Sequence, residues 1–143
     1  MSEDQLIYGV ESRQLISFAL KVYNTLGYGH QEKYFQRAYE KELVANHIRY
    51  EREKSIPLLY NGERIGGYFL DFLVHDRIIV ELKVVPRFSV VHVKQVLEYL
   101  RAVNCKLALL LYFTRDGVIC KRVINPDYRP FLSVDNPLSI PRV

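Results

Sequence analysis

Along residues 11–26 apolar side chains recur at helical spacing: Leu15, Ile16, Ala19, Leu20, Tyr23 and Leu26. Ser12 reads as the N-cap of that helix, and Gly27 suits the left-handed residue that closes one. A second helix is predicted over residues 30–46, on a stripe of Tyr34 or Phe35, Ala38, Tyr39 and Leu43. From Ile48 the period becomes extended. Residues 56–60 read as a strand, Asn61-Gly62 as a two-residue hairpin turn, and residues 65–74 as the returning strand. His75, Asp76 and Arg77 turn the chain into residues 78–85, apolar on both faces except for Glu81 and Lys83. Such a run belongs in the middle of a sheet. After Pro86, Ser89 caps a helix reaching Val103, with Val93, Val96, Leu97 and Leu100 on one face. Residues 106–113 form another buried strand, and Asp116-Gly117 turns it into 118–124.

The predicted order is therefore α-α-β-β-β-α-β-β, a mixed sheet flanked by helices, of α/β (α+β) class. A helix between strands 78–85 and 106–113 implies a right-handed parallel crossover. Beyond Asn125 the chain holds Pro126, Pro130, Pro137 and Pro141, too many for regular structure. Residues 1–143 are expected to form one domain, with 125–143 an irregular tail packed along it or along a partner.

Composition narrows the class without naming a function. The chain has 143 residues, 49% hydrophobic and 25% charged, which excludes disordered and fibrous proteins. Lys and Arg number 20 against 16 Asp and Glu, a surplus of four that permits a polyanionic partner without demanding one. Cys105 and Cys120 lack metal-ligand spacing and read as small buried thiols in a reducing compartment. An acidic N-terminus without an apolar core does not read as a signal peptide, and the longest apolar run is residues 107–113, too short to span a bilayer. A cytoplasmic protein is expected.

The informative anomaly is charge inside apolar strands. Asp71 interrupts Tyr68-Phe69-Leu70-Asp71-Phe72-Leu73-Val74, and Glu81 and Lys83 interrupt residues 78–85. Charged groups there are tolerated when paired or coordinating. With a three-residue turn at 75–77, Val74 faces Ile78 and Asp71 falls directly opposite Glu81, on the face that Lys83 shares. Opposed carboxylates repel, so a proton, the Lys83 ammonium or a divalent cation must compensate. Mg²⁺ takes oxygen ligands, and Asp71, Glu81 and the Leu82 carbonyl could supply them. The structural alternative is an Asp71–Lys83 or Glu81–Lys83 ion pair without function.

Asp71 followed by Glu81-Leu82-Lys83 resembles the Asp…(Asp/Glu)-x-Lys core of the PD-(D/E)XK nuclease superfamily. Gly29-His30-Gln31-Glu32-Lys33-Tyr34-Phe35 is similar to the namesake motif of its GxxExxY branch, with Phe35 in place of Tyr. Ile65-Gly66-Gly67-Tyr68, the strand around Glu81 and the helix from Val91 to Leu100 follow that branch in order. Leu70 stands where the superfamily name has Pro. The resemblance implies metal-dependent phosphodiester hydrolysis with Mg²⁺, or Mn²⁺ in its place, on nucleic acid, DNA favoured over RNA. Asp71, Glu81, Leu82 and Glu32 would be metal ligands, Lys83 would serve the attacking water or the transition state, and Gln95 would be an accessory site residue.

Each supporting residue has a plainer reading. Glu32 near a helix start favours the dipole, and Gln95 on a helix face is ordinarily solvated. With 11 tyrosines, most must pack, although Tyr34, Tyr39, Tyr68 and Tyr99 have rings that could stack on bases. His92 could touch phosphate, whereas His30, His47 and His75 lack ligand spacing. Lys83, Arg87, Lys94 and Arg101 cluster around the core strand and the next helix, where they would counter phosphate. The rival class is a nucleic-acid-binding or protein-interaction module that keeps the fold without cleaving. The Pro-rich tail and the Asn61-Gly62 hairpin are candidates for homodimer contacts.

Overall fold

The computed structural model describes residues 7–130; the end of the expected tail, 131–143, lies outside the described residues, as do residues 1–6. The elements are α1 (Gly9–Leu26), α2 (Glu32–Ala45), β1 (Tyr50–Tyr60), β2 (Glu63–Val74), β3 (Ile78–Val84), α3 (Val91–Val103), β4 (Leu107–Thr114) and β5 (Gly117–Ile124). This is the expected order. The strands form one five-stranded sheet in sequence order, antiparallel except where α3 connects parallel β3 and β4. Among the described residues no helix is long and apolar enough to cross a membrane.

Two cores sandwich the sheet. On one face Leu15 and Phe18 of α1 and Phe35, Tyr39 and Leu43 of α2 pack on Phe72, Val80, Leu82 and Phe113. On the other, Val96, Tyr99 and Leu100 of α3 cover Leu73, Ile79, Leu110 and Tyr112. With helices on both faces, all eight positions of β4 are buried, which is why its sequence is one continuous apolar run.

Several boundaries differ from the pattern. Ser12 is not a cap: α1 starts at Gly9 after Tyr8 in a left-handed conformation, and Ser12 is buried inside the helix. Its hydroxyl donates to the Tyr8 carbonyl and accepts from Arg122 of β5, both at 2.6 Å. Leu20 is 44% exposed, and Phe18 and Val22 take the buried positions instead, because α1 turns toward α2 and β5 together. Helix α2 starts at Glu32 after an extended Gln31. Helix α3 starts at Val91, whose N–H donates to Ser89 Oγ at 3.3 Å. Strand β1 extends back to Tyr50 through a charged stretch with no apolar alternation. Glu40 of α2 anchors that stretch, accepting from Tyr50 Oη and Arg52 Nη1 at 2.8 Å each.

The Asn61-Gly62 turn is as expected, with φ of 50° and 81°. Past β5, Asn125 donates to the carbonyls of Leu100 (3.3 Å) and Cys105 (3.0 Å), and Arg129 exchanges backbone bonds with the Asn104 side chain. The described start of the tail therefore packs on the C-terminal end of α3. Cys105 is buried and Cys120 half-buried, both as free thiols.

Candidate active site

Both ladders of β2 break at one residue. Toward β3 the pairs run Val74↔Ile78, Leu73↔Ile79 and Phe72↔Val80, then stop. Toward β1 they pass from Arg52↔Phe72 to Lys54↔Leu70, skipping Glu53 and Asp71. Glu53 has φ +53°, a left-handed conformation that a non-glycine residue adopts at a cost of about 1–3 kcal/mol. The side-chain alternation also slips. Leu70 and Leu73, three apart, both face α3, while Phe72 faces α1 and α2.

The expected register is therefore correct, but Asp71 and Glu81 are not a simple cross-strand pair. Their carboxylates replace the missing ladder acceptors. Asp71 N–H donates to Glu81 Oε1 at 2.8 Å, and Leu82 N–H donates to Asp71 Oδ2 at 2.8 Å. Buried backbone donors need acceptors, so these crossed bonds fix both side chains where the strands diverge. From α2, Gln36 Nε2 donates to Asp71 Oδ1 at 3.1 Å. One turn earlier, Glu32 Oε1 accepts from Val84 N–H at 3.2 Å, tying the first turn of α2 to the end of β3.

Burial makes the acidic pair electrostatically strained. Glu81 is only 2% exposed and Asp71 is half-buried. Both carboxyls are raised well above the ordinary range, first by desolvation. For Glu81 the Asp71 charge comes next, and Glu32 pushes both the same way. Lys83 works against these effects from nearby. It nonetheless makes no hydrogen bond or ion pair among the described residues, so the purely structural Asp71–Lys83 or Glu81–Lys83 bridge is not formed.

Around this centre, Lys83 pairs in register with Tyr112 of β4, whose buried hydroxyl has no hydrogen-bond partner among the described residues. His92, at the start of α3, packs against the Tyr112 ring at 6.0 Å. Burial, then Lys83, hold it below the usual histidine value. Burial, then Glu81, push Tyr99 up to about 12. Gln95 lies exposed one turn before Tyr99 and makes no hydrogen bond to the acidic pair. Phe35 stacks on Phe113 at 4.7 Å, an apolar setting that needs no hydroxyl. Arg101 is committed to Glu98 and Asp127, each at 2.8 Å, so it leaves the expected basic cluster.

The sequence reading missed Gln36 and Glu53. Gln36 had a signal, its spacing of four from Glu32, which places both on one helix face. Glu53 had none, since a strained backbone is not legible in a charged strand. Among the described residues no three His, Cys, Asp or Glu side chains gather as a metal cage. The donor set is instead two crowded carboxylates beside backbone, the chemistry suited to a hard cation that keeps several waters.

A family model of the PD-(D/E)XK nuclease superfamily matches residues 10–123, most of the chain, and the chain belongs to that superfamily. No curated protein matches it. The fold is similar to the crystal structure of SSO0001, with a TM-score of 0.52 at 17% identity over 93% of this chain. This chain spans 65% of that protein's length.

Proposed function

We propose that the protein is a metal-dependent nuclease that hydrolyses phosphodiester bonds, with DNA favoured over RNA, and that it belongs to the GxxExxY branch. One observation carries the reading: the buried Glu81 and half-buried Asp71 carboxylates accept from backbone N–H groups where two strands part, near Lys83, which forms no ion pair among the described residues. Superfamily membership supports the same chemistry. Asp71, Glu81 and the Leu82 carbonyl would hold Mg²⁺ or Mn²⁺, with Glu32 behind them. Such a cation supplies positive charge against the developing phosphorane and raises the acidity of bound water.

The protein's own groups do the rest. Gln36 and the Leu82 N–H orient Asp71, so its oxygens need no reorganisation when charge arrives. The Asp71 N–H does the same for Glu81. Lys83, without a carboxylate partner, is available to orient the attacking water and to neutralise a phosphate oxygen. Gln95 lies one turn before Tyr99 on the same face of α3, and Tyr99 feels the Glu81 charge, so an accessory contact from Gln95 would fall on that side of the pair.

Labelled single- and double-stranded DNA and RNA are the test, incubated with Mg²⁺ or Mn²⁺. The wild type cleaves at least one substrate, and Asp71→Asn and Lys83→Ala each lose on the order of 10³-fold in rate. Metal-dependent binding without cleavage of any substrate would instead define a non-cleaving binding module. Cleavage that survives both substitutions would place the activity elsewhere.

A further inference from the structure

Beyond Asp71, β2 leaves β3 and continues with β1 as a two-stranded ribbon. Tyr68 and Leu70 face α3, Tyr68 through its ring contact with Tyr99 at 5.3 Å. Alternation then places Phe69 on the opposite face, toward the side occupied by α2. Phe69 is 64% exposed, although it stands only two residues from Asp71. Arg64 lies beside it on that face. Its guanidinium reaches Ser55, the cross-strand partner of Phe69, and covers Gly67, where an added Cβ would meet Arg64 Nη2 at 2.7 Å.

Helix α2 adds two more cations. Lys33 and Arg37 each follow a residue that reaches the site, Glu32 and Gln36, so they lie about 100° further around the helix. Both lean on the exposed Tyr34 ring, at 5.2 and 5.7 Å from its centroid. Lys33, Arg37 and Arg64 form no ion pair among the described residues. Lys21, Arg49, Arg52, Lys54, Arg77 and Arg101 each meet a carboxylate, so what sets Lys33, Arg37 and Arg64 apart from the other unpaired cations is their place beside exposed aromatic rings next to the site. The α2 side of the ribbon thus carries two exposed aromatic rings, Tyr34 with Lys33 and Arg37 against it and Phe69 with Arg64 beside it, next to the acidic site.

We propose that this face holds an unpaired nucleic-acid strand, with a base stacked on Phe69 and phosphates on Arg64, Lys33 and Arg37. The nuclease reading supplies the kind of polymer; the preference for an unpaired strand comes from this face. Two residue steps along the strand put Phe69 about 7 Å from Asp71, so one bound strand can reach both. A base stacked within a duplex has no free face to offer Phe69, whereas a single strand does.

The chain has no tryptophan, so Phe69→Trp installs a sole reporter. With chelator present to prevent cleavage, oligodeoxythymidylate of about 12 nucleotides should quench its emission, and a blunt duplex of that length should not. Phe69→Ala should weaken single-strand binding about tenfold, read by anisotropy, with its melting temperature retained. The double variant Lys33→Ala, Arg37→Ala should flatten the salt dependence by about 0.7 per residue removed. The proposal is overturned if the oligonucleotide leaves the emission of the Phe69→Trp variant unquenched, if duplex and single strand act alike, or if emission shifts with protein concentration alone, which would make the face a contact with a second copy. Single-strand binding in this pattern with no cleavage in any metal would sink the nuclease reading and leave this one standing. Metal-dependent cleavage of single strands undiminished in Phe69→Ala would do the reverse.

Discussion

Strand β4 and the outer half of β2 are built on opposite terms. Every position of β4 is buried between two helical layers, and its backbone is paired along both edges from Leu107 to Phe113. Outer β2, from Glu63 to Phe69, has no buried residue and pairs only with β1. Asp71 stands at the boundary, and the contrast explains why a site can form there. The platform pairs β3 along β4, while the ribbon lets β2 depart, and the Asp71 and Leu82 N–H groups left there donate to side-chain carboxylates.

The largest expected effect lies in the platform. Phe113 is stacked between Phe35 and Tyr23, so Phe113→Ala should cost roughly 3–5 kcal/mol in chemical denaturation. An effect under about 1 kcal/mol would show the two halves of the sheet to be less different than their burial.

Next comes the boundary itself. Desolvation, aided by the Glu32 charge, pushes Asp71 up to about 6, and desolvation followed by repulsion from Asp71 pushes Glu81 up to about 8. Because the folded values exceed those of the unfolded chain, the folded protein holds protons that the unfolded chain has released. In metal-free buffer, stability should therefore fall by on the order of 2 kcal/mol as pH rises from about 5 to about 8, followed by urea midpoints. A stability that rises over that range would reverse the sign required of a buried acidic pair.

Smaller effects belong to the ribbon side. Glu53→Val forces a β-branched residue toward a left-handed conformation and should cost about 1–3 kcal/mol, whereas Glu53→Gly should cost little or nothing. Equal losses from both would mean that the side chain, not the backbone, matters there. Phe69→Ala should change stability by less than about 0.5 kcal/mol, since it leaves an exposed position.

Much of this was legible in the residues. The apolar runs of β3 and β4 announced a central pair, and Asn61-Gly62 announced the hairpin. The turn at His75-Asp76-Arg77 fixed the register that brings Asp71 to Glu81. What escaped depends on tertiary partners. The charged first half of β1 is a strand because Glu40 and β2 hold it, and Ser12 is interior because Arg122 reaches it. The double ladder break at Asp71 is a backbone event with no residue preference to betray it, since Glu53 is neither glycine nor asparagine. Lys83 is legible as a site residue, but that it forms no ion pair among the described residues depends on where the strands place its neighbours.

The central claim is that Asp71 and Glu81 form a strained carboxylate pair built for a cation. Thermal unfolding of the wild type and Glu81→Gln at pH 8, with and without Mn²⁺, tests it most directly. Without metal, Glu81→Gln should melt several degrees above the wild type, consistent with relief of roughly 2 kcal/mol of repulsion and desolvation. Mn²⁺ should raise the wild type and leave the variant nearly unchanged. A variant that melts below the wild type without metal, or that gains as much from Mn²⁺, would contradict the account.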